Sequence, residues 1–339
     1  MTTFDPDDAS TDEGLYGLSP VPDPAVVVIP VPWEATVSYG RGTSSAPRAI
    51  ELASHQVDLF DLEYGAVWKS GIGWADIGSD IERLNRRACE TAAPVVEAGG
   101  SAASPALMEA ARRVDALSRQ RDEVVRAAAA AALDAGQIPV VLGGDHSSPL
   151  GLLEAVAARH PGVGVLHIDA HADLREAYMG FRSSHASIMT RVLELEGVER
   201  LVGVGYRDLG HAEWQRICAE PDRICAFPDP TIAERLSAGD SWLDVVHEII
   251  AKLPNIVHIS FDIDGLDPSL CPNTGTPVPG GLGFREAQVL LHEVSKHRQV
   301  VSFDLCEVSP GHSSEWDANV GARVLYKLAG CALSSRSSQ

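Results

Sequence analysis

Three short stretches of this 339-residue sequence bring together side chains that hold metal ions. Asp169-Ala170-His171-Ala172-Asp173 follows the apolar run Val165-Leu166-His167-Ile168, and Asp262-Ile263-Asp264 follows Ile256 to Phe261. The third, Gly143-Gly144-Asp145-His146, follows Val140-Val141-Leu142, its glycines permitting a tight turn that leaves His146 at a strand tip. Side chains alternate along an extended segment, so Asp169, His171 and Asp173 share one face, as do Asp262 and Asp264. Two carboxylates and an imidazole on one strand end are costly to bury with nothing to neutralise them, which points to metal binding. A lone histidine after a strand is more often structural than a ligand, so His146 draws its meaning from the other two motifs. Together, four carboxylates and two imidazoles exceed the needs of one divalent ion. They fit two ions about 3.5–4 Å apart that share carboxylates and a water. Such an oxygen-rich set suits Mn²⁺, with Ni²⁺, Co²⁺ or Fe²⁺ as alternatives and Zn²⁺ less favoured without thiolates. A hydroxide shared by two ions is a nucleophile at neutral pH, and the chemistry implied is hydrolysis.

The elements that must position these residues are strands and crossover helices in alternation. Candidate strands are Ala25 to Ile29, Ile72 to Ile77, Pro139 to Leu142, Val163 to Ile168, Arg200 to Val204, Ile224 to Phe227, Ile256 to Phe261 and Gln299 to Phe303. Their consecutive apolar positions suit strands buried on both faces of a parallel sheet. Helical patterns span Ala46 to Ser54, Ser104 to Ala135, Pro149 to Arg159, His185 to Glu196, Ser241 to Lys252, Arg285 to His297 and Ala318 to Leu328. The fold class is therefore α/β, a three-layer α/β/α sandwich. In such a sheet ligands bind beyond the carboxyl ends of the strands, where all three motifs fall. Ser104-Pro105 reads as a helix start, and the alanine run 127–132 as helix rather than linker. Residues 25–333 are expected to form one catalytic domain. Residues 1–24 are expected to be a disordered or arm-like extension, and 334–339 a disordered tail.

Twenty-seven Lys and Arg against 47 Asp and Glu give a net charge of −20, which repels a nucleic-acid backbone. No apolar run approaches the roughly 20 residues needed to cross a bilayer, and residues 1–24 lack the basic and apolar regions of a signal peptide. Six cysteines without CxxC spacing read as reduced thiols. These features predict a soluble, cytoplasmic protein with neither nucleic-acid nor membrane partners.

The motifs resemble those of the ureohydrolases, the arginase and agmatinase superfamily. The likeness extends through Ser260-Phe261-Asp262-Ile263-Asp264-Gly265-Leu266-Asp267-Pro268-Ser269, Gly275-Thr276-Pro277, Gly280-Gly281-Leu282, Arg285-Glu286 and Glu307, covering about Val26 to the end. It implies an eight-stranded parallel sheet, a binuclear Mn-type centre, and hydrolysis of a guanidino group to urea. It also implies one ion on His146, Asp169, Asp173 and Asp262, and a second on Asp169, His171, Asp262 and Asp264. By the same resemblance His185 is a proton shuttle for the leaving amine, Asp173 doubles as a proton carrier, and Glu307 grips the guanidinium. That last role is physically apt, because a planar fork of N–H donors wants a carboxylate. Thr276, Arg175 and His185 join Glu307 as expected substrate contacts.

Arginases place an Asn two residues after the second motif's final Asp, where it helps bind the amino-acid end of arginine. This chain has Arg175 there, which argues against L-arginine. An Arg175 facing the pocket repels a cationic tail unless an acid such as Glu176 neutralises it. Trp33, Tyr39, Tyr178, Phe181 and Trp316 are candidates to enclose a small guanidinium by cation–π contact. The stretch Tyr178 to Ser187 resembles an agmatinase-like subgroup that includes nickel-dependent guanidine hydrolases. The expected substrate is guanidine or a small alkylguanidine, with agmatine or a guanidino acid as alternatives. The resemblance suggests a homotrimer or homohexamer. A hetero-oligomer, in which this chain is a non-catalytic subunit, is the competing class, and the intact ligand set argues against it. A binuclear phosphoesterase would want basic residues around the site, which Glu307 and the net charge disfavour.

Overall fold

Runs such as Val26-Val27-Val28-Ile29 stiffen an extended backbone and offer apolar side chains to both faces, so they pair edge to edge in the interior. In the computed structural model, which describes residues 6–7, 14–19, 21–311 and 314–337, eight such runs form one sheet. The strands are β1 (Val26–Val31), β2 (Ile72–Trp74), β3 (Ile138–Gly143), β4 (Val163–Ile168), β5 (Val198–Val204), β6 (Ile224–Phe227), β7 (Ile256–Asp262) and β8 (Gln299–Cys306). All pairings are parallel, in the order β2-β1-β3-β8-β7-β4-β5-β6. Every expected strand is present. β2 stops three residues short of the expected end and β5 begins two residues earlier.

Helices cover both faces, as the three-layer expectation requires. On one side α1 (Ala46–Ser54), α8 (Trp242–Lys252), α9 (Phe284–His297) and α10 (Trp316–Ser337) bury Ile50, Val246, Leu290 and Leu325. On the other, α2 (Asp80–Glu97), α3 (Pro105–Asp134), α4 (Leu150–Arg159) and α5 (Ile188–Leu193) bury Leu84, Val125, Val156 and Val192. Ser104 caps α3 as expected, its Oγ accepting the Leu107 N–H at 3.2 Å.

Three helices are additions to the expected set: α2, α6 (His211–Ala219) and α7 (Asp229–Ala238). Pro94 masks α2 in the sequence, yet Ile81, Leu84, Ala88, Ala92 and Val95 form a helically spaced buried stripe. α6 and α7 bury few side chains and leave little apolar periodicity to read. The helix expected over His185 to Glu196 is a 3₁₀ turn, His185–Ser187, followed by the short α5.

Both expected chain-end segments need correction where they are described. At 14–18 the N-terminal segment is not a free arm: Leu15 and Tyr16 are buried against the core. The Tyr16 N–H donates to Ser54 Oγ at 2.7 Å, and its hydroxyl donates to the Ala322 carbonyl at 2.9 Å. Its acidic flanks hide two large apolar side chains that gain by burial. At the other end α10 continues to Ser337, with Ser335 Oγ accepting the Val300 N–H at 3.0 Å. The rest of both expectations, at residues 1–5, 8–13, 20 and 338–339, lies outside the described residues. Among the described residues no helix is long and apolar enough to cross a membrane.

Tyr16 gives this docking a test. Tyr16→Phe is expected to cost about 1 kcal/mol of unfolding free energy through the lost hydrogen bond, and Tyr16→Ala about 3–5 kcal/mol through the cavity. Denaturant midpoints would check both, and equal midpoints for all three proteins would contradict the docking.

Candidate active site

The four central strands of the sheet, β3, β8, β7 and β4, end side by side, so parallel pairing alone gathers the three motifs and Glu307 at one edge. Gly144 sits so close beneath Trp33 that a Cβ there would lie 2.1 Å from the Trp33 carbonyl oxygen, and this turn delivers His146. Asp173 and Glu307 are held left-handed, at φ 54° and 62°, as is Met179 in the next loop, at 52°. Such backbone is strained for residues with a side chain.

His146 Nδ1 lies 3.0 Å from Asp169 Oδ2, 3.1 Å from Asp262 Oδ2 and 3.3 Å from Asp173 Oδ2. His171 Nδ1 lies 3.1 Å from Asp264 Oδ2 and 3.4 Å from Asp169 Oδ1. Asp169 therefore turns one oxygen to each histidine, the arrangement of a shared carboxylate. Asp262 Oδ1 accepts the Asp264 N–H at 2.8 Å, and Asp264 Oδ1 accepts the Ala170 N–H at 3.0 Å. All six expected ligands are thus together; His171 alone is partly exposed.

Their electrostatics are those of an anionic cluster in want of a cation. Burial and the charges on Asp264 and Asp169 push the Asp262 carboxyl well above its ordinary range, and burial with the charge on Asp169 raises that of Asp264. At Asp169 burial is outweighed by His167, His146 and His171, which hold its carboxyl well below that range. Asp264 Oδ2 is buried without a hydrogen bond. A buried carboxylate oxygen left this way, within a four-acid, two-imidazole donor set, fits divalent ions.

The reaction side of the site is a cavity of about 170 Å³, lined by His171, Asp173, Tyr178, His185, Thr276 and Glu307 among others. Glu307 Oε1 accepts the His146 N–H at 2.8 Å, and burial together with Asp145 pushes its carboxyl upward. Half-buried His185 has Nδ1 3.2 Å from Thr36 Oγ1 and meets the Tyr178 ring edge-on at 5.4 Å. Burial lowers its pKa below the ordinary histidine range, against the pull of Asp145 and Asp173.

Arg175 lines the same cavity, but its neutralising acid is not Glu176. Arg175 Nε lies 3.7 Å from Glu213 Oε2 with its guanidinium 5.6 Å over Tyr178, whereas Glu176 pairs with Arg191. The backbone fixes Glu213 for this, its oxygens accepting the Leu174 N–H at 2.9 Å and the Gly210 N–H at 2.8 Å. The expected aromatic enclosure reduces to Tyr178. Trp33 and Phe181 are buried in the core, Tyr39 is largely exposed, and half-exposed Trp316 does not line the cavity.

Sequence reasoning passed over His167, Glu213, Asp208 and Thr36. His167 Nε2 lies 2.9 Å from Asp169 Oδ2, and its position two residues before Asp169 on the same strand face was the available signal. Glu213 and Asp208 sit in a helix start and a loop that carry no motif, and only the fold brings them to the cavity.

The arginase-family model matches residues 24–331. N(1)-aminopropylagmatine ureohydrolase of Thermus thermophilus is 35% identical over 313 residues, covering 92% of each chain. Guanidinobutyrase of Pseudomonas aeruginosa is 28% identical, covering 88% of this chain and 83% of its own. Among solved structures, proclavaminate amidinohydrolase from Streptomyces clavuligerus superposes with a TM-score of 0.74 at 22% identity, covering 96% and 99% of the two chains. A matching family model over nearly the whole chain, on this sheet and this ligand cluster, makes the chain a member of the arginase family within the ureohydrolase superfamily.

Proposed function

We propose that this metal-dependent amidinohydrolase releases urea from a small guanidino compound, guanidine itself or a short alkylguanidine, leaving ammonia or an amine. The observation that carries the reading is Glu307, a buried carboxylate anchored on the His146 N–H and facing the same cavity as the acid–imidazole cluster. With Oε1 so held, Oε2 is the acceptor for the guanidinium fork. The volume of about 170 Å³ lies below the roughly 300–1,000 Å³ of sites for drug-sized ligands, which favours a substrate of few heavy atoms.

Two divalent ions, Mn²⁺ or Ni²⁺, held by His146, Asp169, Asp173 and Asp262 and by Asp169, His171, Asp262 and Asp264, would supply an activated water and Lewis acidity. Glu307 then presents the guanidinium carbon to that edge of the cluster. Asp173 takes a proton on its carboxylate and passes it towards the departing nitrogen. His185, whose burial favours the uncharged imidazole, serves as a relay that takes up a proton and gives it to the leaving group.

A second reading, a substrate with a cationic tail, is favoured by Asp208 and Glu213 on the cavity wall and by the names of the aminopropylagmatine relatives. The Arg175–Glu213 pair lowers the repulsion such a tail would meet, so it is the cavity's small volume that favours the first reading.

Urea release by protein stripped of metal and reloaded with Mn²⁺ or Ni²⁺ tests both readings on guanidine, methylguanidine, agmatine, guanidinobutyrate and arginine. Turnover of the small guanidines with agmatine refused is expected; strong agmatine turnover would favour the second reading. Silence in both metals would revive the non-catalytic subunit. Glu307→Gln is expected to lower kcat/KM by about 10²–10³-fold while both ions stay bound, as metal analysis would check. His185→Ala should lower kcat by about 10²-fold with little change in KM. It should also remove an acid limb that lies below the ordinary histidine range in the wild-type pH profile.

A further inference from the structure

Beneath the cluster, four polar side chains of the sheet interior interrupt otherwise apolar strands. His258, Ser260 and Asp262 alternate along β7 with Val257, Ile259 and Phe261, and Ser302 and Asp304 lie opposite His258 and Ser260 on β8. His258, Ser260, Ser302 and Asp304 are all fully buried, where unpaired polar groups are costly. They are paired in a continuous line. Ser302 Oγ lies 2.8 Å from His258 Nδ1, and His258 Nε2 lies 2.8 Å from Asp304 Oδ2. Ser260 Oγ donates to Asp304 Oδ1 at 3.2 Å and lies 2.8 Å from His146 Nε2.

We propose that Asp304, braced by His258 and acting through Ser260, is a positioning residue that sets the tautomer and ring orientation of His146. A Ser260 hydroxyl committed to Asp304 can only accept from His146, so Nε2 carries a proton and, in the neutral imidazole a metal requires, Nδ1 is the atom with the lone pair. The Nδ1 lone pair then faces Asp169, Asp173 and Asp262. An apolar residue at 304 would free the hydroxyl to donate, and the opposite tautomer would follow, with a proton where the ligand's lone pair is needed. Nothing in strand pairing asks for a carboxylate here, since parallel strands are held by backbone hydrogen bonds and apolar contacts. Outer partners of this kind hold metal-ligating imidazoles in orientation, and their loss costs about 10–100-fold in affinity. The inference rests on reading the cluster as a metal centre.

Equilibrium dialysis of the stripped full-length protein against Mn²⁺, with thermal unfolding of the same samples, tests it. The wild type is expected to bind two ions. Asp304→Asn and Ser260→Ala are expected to weaken one of the two by about 10–100-fold and leave the other within a few-fold, and Ser260→Thr, which keeps the hydroxyl, to restore the first. Should Asp304→Asn fail to fold, Ser260→Ala and Ser260→Thr still decide. Wild-type affinity for both ions in Ser260→Ala would overturn the inference and leave the metal reading standing, as would equal loss of both ions together with stability. A wild type that binds no divalent ion would overturn both.

Discussion

Carboxylates repel one another, and this molecule assembles four of them within a few ångströms in a place from which most water is excluded. The cost of that assembly explains why each acid is tied down as it is. Asp169 is split between two imidazoles, Asp173 meets His146 Nδ1 at 3.3 Å, Asp262 and Asp264 accept backbone N–H groups, and Glu307 beside these four is fastened to the His146 amide. Every such tie lowers the penalty of holding negative charge without removing it. What remains is an affinity for cations, and a guanidinium substrate is itself a cation. One electrostatic imbalance therefore serves both the ions and the molecule they act upon.

The sheet makes this imbalance geometrically affordable. Because β3, β8, β7 and β4 are neighbours and all point the same way, residues far apart in the chain are delivered to one edge without any long loop reaching across. The strands' apolar packing and the site's polar demands are met at different heights of the same element: side chains deep in the strand hold the sheet, and those at its tip carry the chemistry.

This division of labour also decides what could be read from the chain. The eight strands and the gathering of the six acids and imidazoles at one sheet edge were legible because each depends on a local pattern, an apolar run followed by alternating acids and imidazoles. α2 was hidden by Pro94 even though its apolar stripe is regular, and α6 and α7 bury too little to leave a pattern. The partner of Arg175 was misread because sequence favours the adjacent Glu176, whereas space favours Glu213, held by the backbone 38 residues further on. The polar line at His258, Ser260, Ser302 and Asp304 was unreadable for a different reason. Its members look like ordinary strand alternation, and only the burial of both sheet faces shows that none of them faces solvent.

Asp173 and Glu307 sit in left-handed backbone that glycine or asparagine would adopt more readily. Each such position stores on the order of 1–3 kcal/mol that the surrounding packing must offset. Directed evolution of this protein for heat resistance alone would therefore be rewarded for erasing these two acids. Selection has to be coupled to turnover if the hardier variants are to remain enzymes.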